Sequence, residues 1–130
     1  MRILTSYYAK VRDIDTSKCV LIRISASQPQ WFTNKIYPCA DLYPSWELIN
    51  GIKNGEITEE EYMAEYSMIF TDQNKDAILD GIKHVCELEG VDVAILVCWE
   101  GIGKFCHRHG AGAWLDPNCV EYVDGMLDNI

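Results

Sequence analysis

Val91-Asp92-Val93-Ala94-Ile95-Leu96-Val97-Cys98-Trp99-Glu100 is a nearly unbroken apolar run that ends on a thiol, an indole and a carboxylate. Such a run predicts a buried strand, as in a mostly parallel sheet. Gly101-Ile102-Gly103-Lys104 then reads as a glycine-bearing turn, and Phe105 to Leu115 as a helix stopped by Asp116-Pro117. The first turn of that helix carries Cys106, His107 and Arg108. These groups fall outside the carboxyl end of a strand, where open α/β sheets hold their ligands. Helix-start N–H groups favour anions, and Arg108 adds a planar, permanently charged fork. The segment therefore points to a site without naming its substrate.

Working outward, residues 2–8 form a first strand rich in β-branched and aromatic residues, and Cys19 to Ile24 a second apolar run. Only about ten residues join the two, near the lower limit for a parallel crossover, so their pairing stays open. Ser25 to Pro44 has no clear period. Loops of this length are usually lids or binding loops. Within it, Trp31 either offers a stacking surface or folds back on the core with Phe32. Three helices precede the central run. Ser45 caps one through Asn54, with Gly55 past its end. Thr58-Glu59-Glu60-Glu61 is a capping box that places Tyr62, Tyr66, Ile69 and Phe70 on one face. Asn74 caps the third, where Ile78, Ile82, Val85 and Cys86 form the buried stripe and Gly90 closes it. Cys119 to Val123 returns as an edge strand. The expected architecture is one α/β domain over residues 1–130, Rossmann-like, with about four mostly parallel strands flanked by helices.

Composition narrows the function classes. A chain of 130 residues with 48% hydrophobic content is long enough to bury a core. No run reaches the roughly 18 apolar residues of a membrane helix, and Met1-Arg2-Ile3-Leu4-Thr5-Ser6 turns polar too early for a signal peptide. Six cysteines scattered through apolar segments read as reduced thiols of a cytoplasmic protein, not as a disulfide scaffold. The net charge of −9 disfavours duplex nucleic acid, whose phosphates demand Lys and Arg. A small anionic ligand suits a local basic pocket better. Association of identical chains stays open.

Cys106, beside Lys104, His107 and Arg108 at a helix start, is a candidate nucleophile. His107 is an acid–base group or a structural bridge. Glu100 binds a ligand hydroxyl, pairs with Arg108, or is a solvated turn residue. Gly110 and Gly112 in one helix suggest close backbone packing on the sheet. Several familiar motifs fail on spacing. Beyond five intervening residues, Cys98 and Cys106 are followed by Lys104 and Gly112, not the arginine of a phosphatase loop. Gly101-Ile102-Gly103 meets Cys106 where a dinucleotide fingerprint needs glycine. Cys98-Trp99-Glu100 lacks the Cys-x-x-Cys partner of a zinc deaminase. Cys98, Cys106, His107 and His109 match no finger or ribbon spacing, so neither metal nor other cofactor is expected.

Cys98-x-Glu100, five residues, then Cys106-His107-Arg108 resembles the signature of the domain of unknown function (DUF) 488 family. Ser6-Tyr7-Tyr8-Ala9, Ile24-Ser25-x-Ser27, Trp31-Phe32 and Pro44-Ser45-Trp46 are similar to segments of its short form from phages and Gram-positive bacteria. The resemblance implies a compact α/β domain and no assigned activity. It implies that Cys98, Glu100, Cys106, His107 and Arg108 form one cluster, approached by Ser6, Tyr7 and Ser25. It also makes the host cytoplasm the setting, if the chain is phage-encoded.

Together these readings predict a pocket for a small phosphorylated or nucleotide-like molecule. Arg108 and the helix start hold the anion, Glu100 a hydroxyl, and Trp31 or Tyr7 a flat ring; Cys98, Ser6 and Ser25 complete the surroundings. Cys106, His107 and Glu100 are the catalytic candidates of an enzyme. A binding module would capture the ligand unchanged, as a sensor or as a sink for a host signal molecule. In a structural or interaction protein the cluster would only stabilise a turn.

Overall fold

The computed structural model describes residues 1–100 and 105–130, so the expected turn at 101–104, Lys104 included, lies outside the described residues. β4 (Val93–Cys98) has all six residues buried, which explains its near-continuous apolar sequence: it is the middle strand of the sheet. β1 (Arg2–Tyr7) lies parallel along its whole length, from Arg2 opposite Val93 to Tyr7 opposite Cys98. β2 (Val20–Arg23) lies parallel on the other side, with Val20 opposite Ala94. The first two strands therefore do not pair with each other, because β4 inserts between them. That resolves the pairing the short connection left open.

Two edge strands of two residues each complete the sheet. β3 (Tyr37–Pro38) joins β2 and β5 (Val120–Glu121) joins β1, both parallel, giving five strands in the order β3-β2-β4-β1-β5. The sheet is thus one strand larger than expected and wholly parallel. β3 is hidden inside the aperiodic stretch before Pro44: two residues carry no alternation to detect, and Pro38 is tolerated because it sits on an edge.

Among the described residues there are four α-helices, and the first two start at the expected caps. α1 (Trp46–Lys53) starts at Ser45, whose side chain accepts from the Leu48 N–H. α2 (Glu59–Tyr66) has the reciprocal Thr58–Glu61 capping box. α3 (Asp72–Glu89) is capped by Thr71 and not by Asn74, whose side chain turns back to the Ile69 carbonyl. Its first turn is polar and exposed, so hydrophobic periodicity misses the true start. Gly90, at φ 68°, ends it in the left-handed region that favours glycine. α4 (Arg108–Leu115) begins later than the expected Phe105, leaving Cys106 and His107 ahead of the first turn.

Strand alternation divides the core in two. Ile3, Val20, Ile22, Ala94, Leu96 and Cys98 face one way and meet the buried residues of all four helices. Leu4, Leu21, Val93, Ile95 and Val97 face the other way, against Tyr8, Val11, Phe32 and Leu127 from irregular segments. Among the described residues, no helix is long and apolar enough to cross a membrane.

Candidate functional site

The strand order fixes where a crevice opens. The chain leaves β2 toward β3 and leaves β4 in the opposite direction toward β5, although β2 and β4 are neighbours. Their two connections diverge at the carboxyl edge, the place where open parallel sheets bind ligands. A cavity of about 460 Å³ lies there. Ser25 and Ser27 follow β2, Trp99 and Glu100 follow β4, Cys106 and His107 precede α4, and Trp46 and Lys53 of α1 face them.

The loop after β2 is tied to the loop after β4. Tyr8 and Ser25 hydroxyls share a 2.5 Å hydrogen bond, and Ser25 Oγ donates to the Ser27 carbonyl at 2.6 Å. Trp99 Nε1 donates to the same carbonyl at 2.9 Å, and its ring stands edge-on to Tyr8 at 5.6 Å. Burial pushes the Tyr8 hydroxyl up, so it stays protonated and able to donate. Trp99 nevertheless keeps 47% of its surface exposed, leaving a ring available on the rim.

Cys106 and His107 lie deeper. His107 Nε2 is 2.7 Å from the Ile24 carbonyl, so that nitrogen carries the proton and Nδ1 keeps its lone pair. Nδ1 is 3.8 Å from Cys106 Sγ. Burial drives His107 down to about 4, with the Arg108 charge adding to it and the Ile24 hydrogen bond opposing it. The imidazole is therefore neutral at pH 7. His107 is thus a structural bridge to Ile24, with Nδ1 turned to the Cys106 sulfur. Sulfur meets sulfur at Cys98 and Cys106, whose Cα atoms are 7.5 Å apart. The sequence reads both as separate reduced thiols; the structure corrects this and joins them in a disulfide. The other four cysteines are free, and burial pushes Cys19, Cys39 and Cys119 up to about 11.

Arg108 is the main correction. Its side chain is wholly buried and does not line the cavity. Nε donates to both carboxylate oxygens of Glu121, at 3.1 and 3.2 Å, and Nη2 donates to Oε2 at 2.7 Å. Nη1 donates to Cys98 Sγ at 3.1 Å and to the Glu100 backbone carbonyl. The guanidinium that was expected to grip an anion is already engaged by the protein through all three of its nitrogens. Its carboxylate partner is Glu121, on an edge strand, where the sequence suggested Glu100.

The remaining candidates divide between the two faces. Tyr7 lies under the Arg108 guanidinium, 5.6 Å from ring centroid to Cζ, and so meets the cluster from its buried side. Alternation puts Ser6 with Leu4 and Tyr8, on the face opposite Cys98, where its buried Oγ has no hydrogen-bond partner among the described residues. Ser6 does not approach the cluster. Trp31 is also off the cavity: 44% exposed, it is covered by the Arg12 guanidinium, while Phe32 beside it folds into the core. The aromatic walls come instead from Trp46, Trp99, Phe105 and Tyr62. In the sequence Trp46 is only the first residue after a helix cap, and the fold alone turns it toward the crevice. No family model, curated protein or solved structure matches the chain.

Proposed function

We propose that the protein binds a small phosphorylated or nucleotide-like molecule in the crevice between the β2 and β4 connections. Cys106, His107 and Glu100 are the groups that act on it. The reading is carried by one observation: a cavity of about 460 Å³, within the size range of small-molecule sites, combines aromatic walls with a few polar groups at a sheet's switch point. In this proposal Trp46 and Trp99 take the flat ring. Lys53 replaces Arg108 as the partner of the anion, and Glu100 or Ser25 takes a hydroxyl. The resemblance to the DUF 488 family belongs to the same proposal, since Glu100, Cys106 and His107 of the quoted motif line the cavity.

A second reading has its own observation. Arg108, Cys98 and Glu121 are joined without reference to the cavity, as they would be if the motif only secured the α4 start. Calorimetric titration with nucleotides and simple phosphates separates the two. Saturable binding that Lys53→Ala weakens about tenfold, the effect of roughly 1.4 kcal/mol, supports the ligand site. Heat-free titrations across the series, with nothing released on denaturation, leave the structural reading. Recovery of the ligand intact after incubation identifies a binding module, and its conversion identifies an enzyme.

A further inference from the structure

Three side chains at the cavity floor bring metal-binding atoms to one point. Cys98 Sγ, Cys106 Sγ and a Glu100 carboxylate oxygen all lie within 4.8 Å of one another. Cys98 ends β4, Glu100 leaves it, and Cys106 arrives from eight residues beyond Cys98, so the fold creates the convergence.

We propose that Cys98, Glu100 and Cys106, once the Cys98–Cys106 disulfide is reduced, hold one divalent transition-metal ion, with Zn²⁺ the best match and a further coordination position open to the cavity. The donor set selects the metal. Two thiolates and one carboxylate suit a borderline-soft ion, whereas Mg²⁺ and Ca²⁺ take oxygen ligands. Three protein ligands is the number at which catalytic zinc keeps a position for water or substrate. The Cα separation of 7.5 Å argues the same way. Disulfides usually join Cα atoms about 4.4–6.8 Å apart, while an ion bonded to each sulfur at about 2.3 Å bridges a wider span.

The Arg108 guanidinium beside the cluster does not oppose a cation. Its charge is matched by Glu121, and it has no acceptor to offer a cation. What it contributes is an N–H to Cys98 Sγ at 3.1 Å, the kind of outer hydrogen bond that orients a metal-bound thiolate. His107 offers no such bond, because the nitrogen it turns to Cys106 is an acceptor. Its Nδ1 stands 3.8 Å from Cys106 Sγ with the ring fixed through Ile24. The sequence objection was that these residues match no zinc-ribbon spacing, and such spacings describe closed structural sites rather than open ones.

The inference deepens the reading of the crevice as a ligand site, but metal uptake is measured with no organic ligand present. The full chain, reduced and free of chelator, is titrated with Zn²⁺ alone and with Co²⁺ alone. Elemental analysis is expected to find about one ion per chain, and the Co²⁺ form to show thiolate-to-metal charge-transfer absorption. Cys98→Ser and Cys106→Ser are expected to lose that absorption, and Cys119→Ser to keep it. Glu100 is exposed, so Glu100→Gln retains the fold and is expected to weaken Zn²⁺ binding by about tenfold or more; this variant decides if the cysteine variants do not fold. A folded, reduced wild type that takes up no metal overturns the proposal. So does metal that binds with unchanged affinity in Glu100→Gln, or a Co²⁺ form without charge-transfer absorption. Zinc uptake with no nucleotide or phosphate binding would keep the metal site and discard the ligand reading; the reverse result would discard the metal site alone.

Discussion

His107 and Arg108 are consecutive, both buried and both polar, yet they belong to two regions built on different terms. On the β1–β5 side, Arg108 is locked to Glu121, Glu121 is bonded again by Thr5 Oγ1 at 2.6 Å, and Tyr7 covers the guanidinium. All three of its nitrogens donate to the protein. On the β2–β4 side, His107 keeps one nitrogen lone pair, and Cys106, Glu100 and Trp99 border a cavity. A motif read as one cluster is thus half scaffold and half site. Residue type did not decide which half each belonged to; the side of α4 from which each side chain leaves did.

The difference is broken most severely at Arg108. Removing it leaves Glu121 without its partner and Cys98 without its donor. Loss of one member of a buried ion pair costs on the order of 3 kcal/mol, so Arg108→Ala should lower the melting temperature sharply. Arg108→Lys should recover only part of it, because an ammonium cannot reproduce the fork. Affinity for a crevice ligand should change little in the fraction that stays folded. A fully stable Arg108→Ala protein that no longer binds ligand would return the arginine to the role the sequence first suggested.

Glycine packing sharpens the contrast from the scaffold side. A Cβ on Gly112 would stand 2.8 Å from Thr5 Cγ2 and 2.7 Å from Cys119 Sγ, so α4 and β1 touch through the missing side chain. Gly112→Ala should therefore cost about 1–3 kcal/mol by overpacking. At Gly110 the same Cβ meets only the flexible end of Met63, at 2.5 Å. Met63 can swing away, and alanine regains up to about 1 kcal/mol of helix propensity. Gly110→Ala should be near neutral in urea melts. Equal losses at both positions would show that α4 does not seat on β1 through Gly112.

How far the sequence spoke follows from what each signal measures. Apolar runs and caps report local burial and local hydrogen bonding, so β4, the Ser45 cap, the Thr58 box and the Gly90 stop were legible. Strand order is a tertiary property, and nothing in residues 2–24 says that β4 will come between β1 and β2. Motif proximity brought Cys98, Glu100, Cys106 and His107 together correctly. It erred on Ser6, which alternation sends to the opposite face, and on Trp31, which Arg12 covers. It missed Glu121 because an edge strand of two residues leaves almost no pattern, and it missed Tyr8 because Tyr7 stands beside it with the same side chain.

On the cavity side the expected effects are on binding rather than stability. Trp99→Phe keeps an aromatic ring but loses the hydrogen bond to the Ser27 carbonyl, a net contribution of roughly 1 kcal/mol. The loop after β2 should then become more mobile, and titrations should show a several-fold weaker ligand at nearly unchanged melting temperature. Tyr8→Phe removes the neighbouring tie to Ser25 and should act in the same direction. A large loss of stability from either substitution would mean that this rim is scaffold too.

The smallest expected effect is a dependence on pH that belongs to the locked side alone. Burial pushes the Glu121 carboxyl up, but hydrogen bonds from Arg108 and Thr5 outweigh it and hold the group below its ordinary value of 4.5. A carboxylate whose folded pKa is depressed binds fewer protons folded than unfolded in the window between the two values. Its stabilising contribution is therefore fully present above about 4.5 and is lost as pH falls through the lower, folded value. Glu121→Gln carries no such charge and lacks this term at every pH. The stability gap between wild type and Glu121→Gln, measured by urea melts, should be constant from pH 7 to about 5 and close as the solution is acidified below that. Taking the difference cancels the titrating groups that Glu121 does not influence; His109, whose pKa Glu121 raises, is not among them. A gap that stays open to the acid limit would mean that Glu121 contributes through packing and neutral hydrogen bonds, and the ion pair would lose its place as what distinguishes the two sides of α4.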